Sequence, residues 1–149
     1  MLSLAARTLE PVKNRVDLIR GYIEDAPPGP FDGATCLLTL HFLDAATRRR
    51  TVNNIHSRLK PGAAFVTAHG SFPQEQNERS TWLARYSAFA ISSGVDPTDA
   101  DRARAMIDSG INISILSPTE DQTILRESGF TDASLFFAAF TWRGWVAHA

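Results

Sequence analysis

The sequence predicts an α/β fold whose sheet is mostly parallel and ends in an antiparallel hairpin. Three observations carry this. Apolar runs of strand length at 34–40 and 63–68 alternate with segments of helical period. The helical segments are bounded by capping residues and by Pro or Gly stops. The chain then closes on two strand-like runs with only a short break between them.

Taken in order, residues 1–10 read as a helix with Leu2, Ala5, Ala6 and Leu9 on one face, opening without an N-cap. Residues 15–20 alternate and predict a short strand. Residues 21–30 form a loop punctuated by Pro27, Pro28, Gly29 and Pro30. The near-continuous apolar run at 34–40 predicts a strand buried on both faces. Asp44 is placed to cap a helix running to Leu59, with Val52, Ile55 and Leu59 as its apolar stripe. Arg48, Arg49 and Arg50 then fall mostly on its wet side. Lys60-Pro61-Gly62 stops that helix, and 63–68 is the next buried strand. Residues 75–92 and 98–108 read as two helices. Ser117 caps a further one, with Glu120 at the reciprocal capping position, and Gly129 ends it. Residues 133–141 and 145–148 are two strands, joined in a hairpin at Arg143-Gly144. We read 1–149 as a single domain, with 73–116 as a helical insert within it.

Composition narrows the function classes. The chain has 149 residues, 44% hydrophobic and 21% charged, with a formal net charge of -1. That is an ordinary globular balance, and it argues against a surface built to attract phosphate backbones. Direct nucleic-acid binding is not expected. The single cysteine, Cys36, excludes an intrachain disulfide and fits a reducing cytoplasm. We read it as inert core. The first residues are interrupted by charge too early for a signal peptide, and no apolar run approaches the roughly 20 residues of a membrane helix. No metal site is expected, because His56, His69 and His148 have no ligand spacing with each other or with Cys36.

Four short words carry a resemblance. Phe31-Asp32 precedes the 34–40 strand, and Leu40-His41-Phe42-Leu43 follows it. Leu59-Lys60-Pro61-Gly62 makes the turn into the next strand, and Ser128-Gly129-Phe130 makes the turn into the hairpin. In order and spacing these resemble class I S-adenosylmethionine (SAM)-dependent methyltransferases. Thr39 to Leu43, Gly70-Ser71-Phe72, 89–94 and the phenylalanine-rich 134–145 resemble, more narrowly, the carboxy-SAM synthases. The resemblance implies a truncated Rossmann-like sheet that lacks its first two strands, with SAM as the family cofactor and a small-molecule substrate. Met1 then falls inside the helix after strand two. The glycine-rich turn and the ribose-binding acid of the family have no counterpart in the sequence. An upstream start of the gene product, with Met1 internal, is one explanation; loss of activity is the other.

Carried over residue by residue, the resemblance implies a cofactor-binding set of Tyr22, Ile23, Glu24, Leu37, Leu38 and Thr39. Leu37 stands where the carboxy-SAM synthases carry an asparagine, and Tyr22 either stacks on adenine or fills its place. Glu24 and Asp25 either face the adenosine or are solvated loop charges. For substrate we name His41 and Arg104; no catalytic residue is assigned. His41 has two readings, a substrate contact or base at the rim, and a rim histidine bonded to a neighbouring carbonyl. Arg104 is either a carboxylate clamp or an i,i+3 partner of Asp101. Trp82, Tyr86 and Phe89 share a helical face and suit a core or dimer stripe. The resemblance also implies a homodimer. The rival function is a non-catalytic remnant acting as an oligomerisation or interaction module.

Overall fold

A computed structural model describes residues 1–149. Helix α1 (Leu2–Thr8) passes into a 3-10 segment, Glu10–Arg15, and a second 3-10 turn follows at Ile23–Asp25. Strand β1 (Phe31–Leu37), a 3-10 turn at Leu40–Phe42, helix α2 (Ala45–His56) and strand β2 (Leu59–Gly70) make the first unit. Helices α3 (Gln76–Ser92) and α4 (Pro97–Ser109) form the insert. Helix α5 (Pro118–Glu127) and strands β3 (Thr131–Ala139) and β4 (Trp142–His148) complete the chain. The sheet order is β1-β2-β4-β3. β1 and β2 run parallel, and β4 runs antiparallel to both β2 and β3. This is the mixed α/β sheet that the sequence predicts.

The predicted caps form. Asp44 accepts from the Thr47 amide at 2.7 Å, and Ser117 and Glu120 make the reciprocal pair that opens α5. Gly129 sits at φ +97, and a Cβ there would lie 2.8 Å from the His56 ring, so only glycine makes this turn without displacing α2's last side chain. The core lies between the sheet and the α2/α5 pair. Val52, Ile55, Ile124 and Leu125 pack against Phe65, Phe130, Trp145 and Ala147. Phe65 and Phe130 stack with ring centroids 5.0 Å apart.

Five expectations are corrected. Residues 15–20 form no strand: Leu18 and Ile19 are exposed and no strand lies beside them to share hydrogen bonds. The first apolar run is not buried on both faces, because β1 is an edge strand and Phe31 and Leu37 stay exposed. It also ends at Leu37, since Leu38 turns to φ +57 and Leu40 enters a 3-10 turn. The hairpin turns at Phe140-Thr141, not at Arg143-Gly144, which pair inside β4 with Ala138 and Phe137. Arg48 leaves the wet side of α2 and is fully buried. Cys36 is only partly buried and opens onto a cleft, although burial pushes its thiol pKa up.

Candidate functional site

A cleft of about 700 Å³ lies between β1, α2 and the 21–26 loop. The loop reaches it because Asp25 folds back to accept from the Tyr22 amide at 2.8 Å, which closes the turn and aims Ile23 and Glu24 at the strand. Tyr22, Ile23, Glu24 and Thr39 of the predicted cofactor set all line it. Leu37 and Leu38 do not; they are 55% and 59% exposed. Asp25 also stays outside, spent on the turn. The lining runs the full length of the strand, from Thr39 and Leu43 at its carboxyl end to Phe31, Arg58 and Leu59 at the other. The walls are mostly apolar, relieved by Glu24, Arg50, Arg58 and three threonines besides Thr39. Such a groove suits a flat ring with a few directed polar contacts.

His41 lies beyond the end of β1 and is buried. Its Nδ1 accepts from the Gly70 amide at 3.4 Å, and its carbonyl accepts from the Ser114 amide at 2.7 Å. The Trp142 ring stands edge-on at 5.4 Å. Burial, then the charges of His69 and Arg48, push the imidazole pKa down to about 4. The ring is therefore neutral at pH 7, with Nδ1 as an acceptor. It takes a hydrogen bond from the Gly70 amide, whereas the second of the two sequence readings has it bonded to a carbonyl. Arg104 is half-buried on α4, and the ion pair with Asp101 does not form; the i,i+3 pair on this helix is Arg102 with Asp99 at 2.7 Å. Trp82, Tyr86 and Phe89 do share a face of α3, and Phe89 stacks on Phe140 at 4.6 Å.

Sequence reasoning missed a buried polar network behind His41. Arg48 Nη1 donates to Asp121 Oδ1 at 2.6 Å, and His69 Nε2 lies 3.2 Å from the same oxygen. Arg48 Nη2 also donates to the Leu43 and Ser114 carbonyls, which flank His41 in space. Burial alone would raise the Asp121 pKa, but the hydrogen bond and charge of His69, with Arg48 and a bond from Ser71, hold it below the usual carboxylate range. A signal was present. Arg48, Val52, Ile55 and Leu59 recur at helical spacing, so the periodicity put Arg48 on the apolar stripe.

No family model matches the sequence. The carboxy-S-adenosyl-L-methionine synthase of Chromohalobacter salexigens is 24% identical over 149 residues, covering 99% of this chain and 54% of the relative. The chain thus spans about half the length of that curated relative. Among solved structures, an O-methyltransferase family 2 protein from Planctomyces limnophilus, in complex with apigenin, aligns with a TM-score of 0.67 at 16% identity, over 99% of this chain and 39% of that one. PigF with SAH aligns with a TM-score of 0.61 at 20% identity, over 95% of this chain and 37% of that one. These structural alignments show the fold: this chain has the fold of the C-terminal region of a class I SAM-dependent methyltransferase.

Proposed function

We propose that the chain is the substrate-side part of a SAM-dependent methyltransferase-like protein, of carboxy-SAM synthase type, acting on a small molecule. The observation that supports this most is the convergence of Tyr22, Ile23, Glu24 and Thr39 on one cleft at β1. Open α/β sheets hold ligands at the carboxyl ends of their strands. These residues fit the adenosine end of SAM: Ile23 and Tyr22 offer apolar and aromatic surface, and Glu24 offers an acceptor for an amino or hydroxyl group. They do not fit the methionine end, since Leu37 supplies no hydrogen bond there and points away from the cleft. SAM would supply an electrophilic methyl sulfonium; this chain's own part is to seat the adenosine and to place neutral His41 and Arg104 on the substrate side. Calorimetric titration with S-adenosylhomocysteine tests the reading. Binding weakened in Glu24→Ala and in Tyr22→Ala supports it; binding indifferent to both overturns it.

A second reading is favoured by the free edge of β1. Its outer side has no strand partner, and Phe31, Leu37 and Leu38 are exposed along it. The cleft runs the whole strand, longer than an adenosine needs. On this reading the groove and edge hold a strand of a second copy, and the chain is an oligomerisation module.

A further inference from the structure

Arg143 has no carboxylate partner, yet its side chain is nearly enclosed. The residue is 8% exposed. None of the ion pairs in the structure includes it. Its Nη1 is spent on the Phe140 and Trp142 carbonyls, at 2.6 and 2.8 Å. Nε and Nη2 donate to no protein atom. They are also absent from the fully sealed polar atoms that lack a partner, so both remain within reach of solvent. One edge of the guanidinium is thus fixed by the hairpin and the other, the Nε/Nη2 edge, is open.

No carboxylate lies within ion-pair distance of Arg143, and a second arginine shares its aromatic neighbour. The guanidinium carbon sits 5.0 Å from the centroid of the Trp82 ring, and Arg85 sits 5.2 Å from the same centroid. Arg85 has no ion pair either. The nearest ordered acid–base contact on α3, Arg79 with Asp108, is directed toward α4. Arg143 stands opposite His69 in register, one residue inside the pairing of Gly70 with Trp142, at the carboxyl end of β2. Ligands of open α/β sheets enter at that end. Burial also disfavours the charged form of Arg143, so a counter-ion there is stabilising.

We propose that the open Nε/Nη2 edge of Arg143, braced by Trp82 and the hairpin carbonyls, is a binding site for a carboxylate of a small-molecule ligand. The two N–H groups on that edge are parallel and coplanar, which matches the two oxygens of a carboxylate and not a single-point anion such as chloride. Arg143 is distinct from Arg104, which lies on α4, and from the cleft at β1, which Arg143 does not line. The site stands apart from the adenosine reading, and SAM binding can fail while this one holds.

The test is a side-chain nitrogen–proton NMR titration of the full chain with sodium benzoate, and in parallel with sodium chloride at the same ionic strength. The expected result is a saturable shift of the Arg143 Nε–H and the Trp82 indole N–H with benzoate, with chloride at least about tenfold weaker. Arg143→Lys, which keeps the charge and loses the fork, is expected to weaken benzoate by about tenfold or more. Equal responses to the two anions, or benzoate binding unchanged in Arg143→Lys, overturn the proposal in favour of general attraction to positive charge. If Arg143→Lys fails to fold, the unsubstituted chain still decides. A shift at Arg143 no larger than at exposed Arg102 in the same spectra overturns it too.

Discussion

The Arg48 guanidinium of α2 lies 2.6 Å from the Asp121 carboxylate of α5, with both side chains all but fully buried. This one pair ties the two helices that cover the sheet. Through the Leu43 and Ser114 carbonyls it also fixes the segments on either side of His41. Breaking it leaves a charge buried without a partner. Arg48→Ala or Asp121→Ala is expected to cost about 3–5 kcal/mol in urea unfolding. The double replacement Arg48→Met with Asp121→Leu removes both charges and is expected to cost less than either single change. A double variant as unstable as the sum of the two would sink this account.

Acid is expected to weaken the fold through two groups with the same sign. Asp121 has its folded pKa below the usual range. Its contribution is present above the unfolded value and is lost as pH falls through the folded one. His41, lowered from 6.5 to about 4, stays neutral in the fold while the unfolded chain takes a proton. Its contribution is complete well above pH 6.5 and declines as pH drops from 6.5 to about 4. Urea midpoints measured from about pH 7.5 to about 2.5 report this slope, the His41 part above about pH 4 and the Asp121 part below it. His41→Asn is expected to flatten it, leaving the Asp121 part; a midpoint that rises on acidification contradicts both.

Arg104 is half-buried, on the insert, and without a hydrogen bond or ion pair in the fold. Arg104→Ala is therefore expected to change stability by no more than about 0.5 kcal/mol. Thermal unfolding checks it. A drop of several degrees would identify Arg104 as a structural residue and remove it from the substrate side.

The bare edge of β1 predicts self-association. Seven residues of strand, from Phe31 to Leu37, have no partner on one side, and the adjoining Leu38 is exposed. Light scattering on dilute protein is expected to show a dimer or larger. Charging the edge with Thr35→Lys should shift the population toward monomer. A stable 16.4 kDa monomer at micromolar concentration would show that the edge tolerates water unaided.

Replacing Ser117 by Ala is expected to cost about 1 kcal/mol, since the hydroxyl accepts from the Glu120 amide and Glu120 bonds back to the Ser117 amide at 2.8 Å. Chemical unfolding checks it, and Glu120→Gln should cost less, because an amide oxygen still accepts that bond.

The sequence by itself determined what depends on near neighbours in the chain. The Asp44 and Ser117 caps, the Gly129 turn and the periods of α2, α3 and α4 need only a few adjoining residues, and they stand where local chemistry puts them. The mixed α/β class followed as well, because alternating strands and helices that end in a hairpin imply a largely parallel sheet with an antiparallel strand. Tertiary structure alone decided the rest. Residues 15–20 have strand-like alternation but no strand beside them, and a strand without a partner leaves its amides to water. The 34–40 run has the composition of a central strand but lies at an edge, because burial is a property of neighbours and not of the run. Arg48 reads as a wet residue by type although its spacing sets it on the stripe of Val52 and Ile55, and its burial rests on pairing with Asp121, 73 residues further along the chain. The open edge of Arg143 was likewise invisible, because it arises where the β4 hairpin meets α3, elements that only folding brings together.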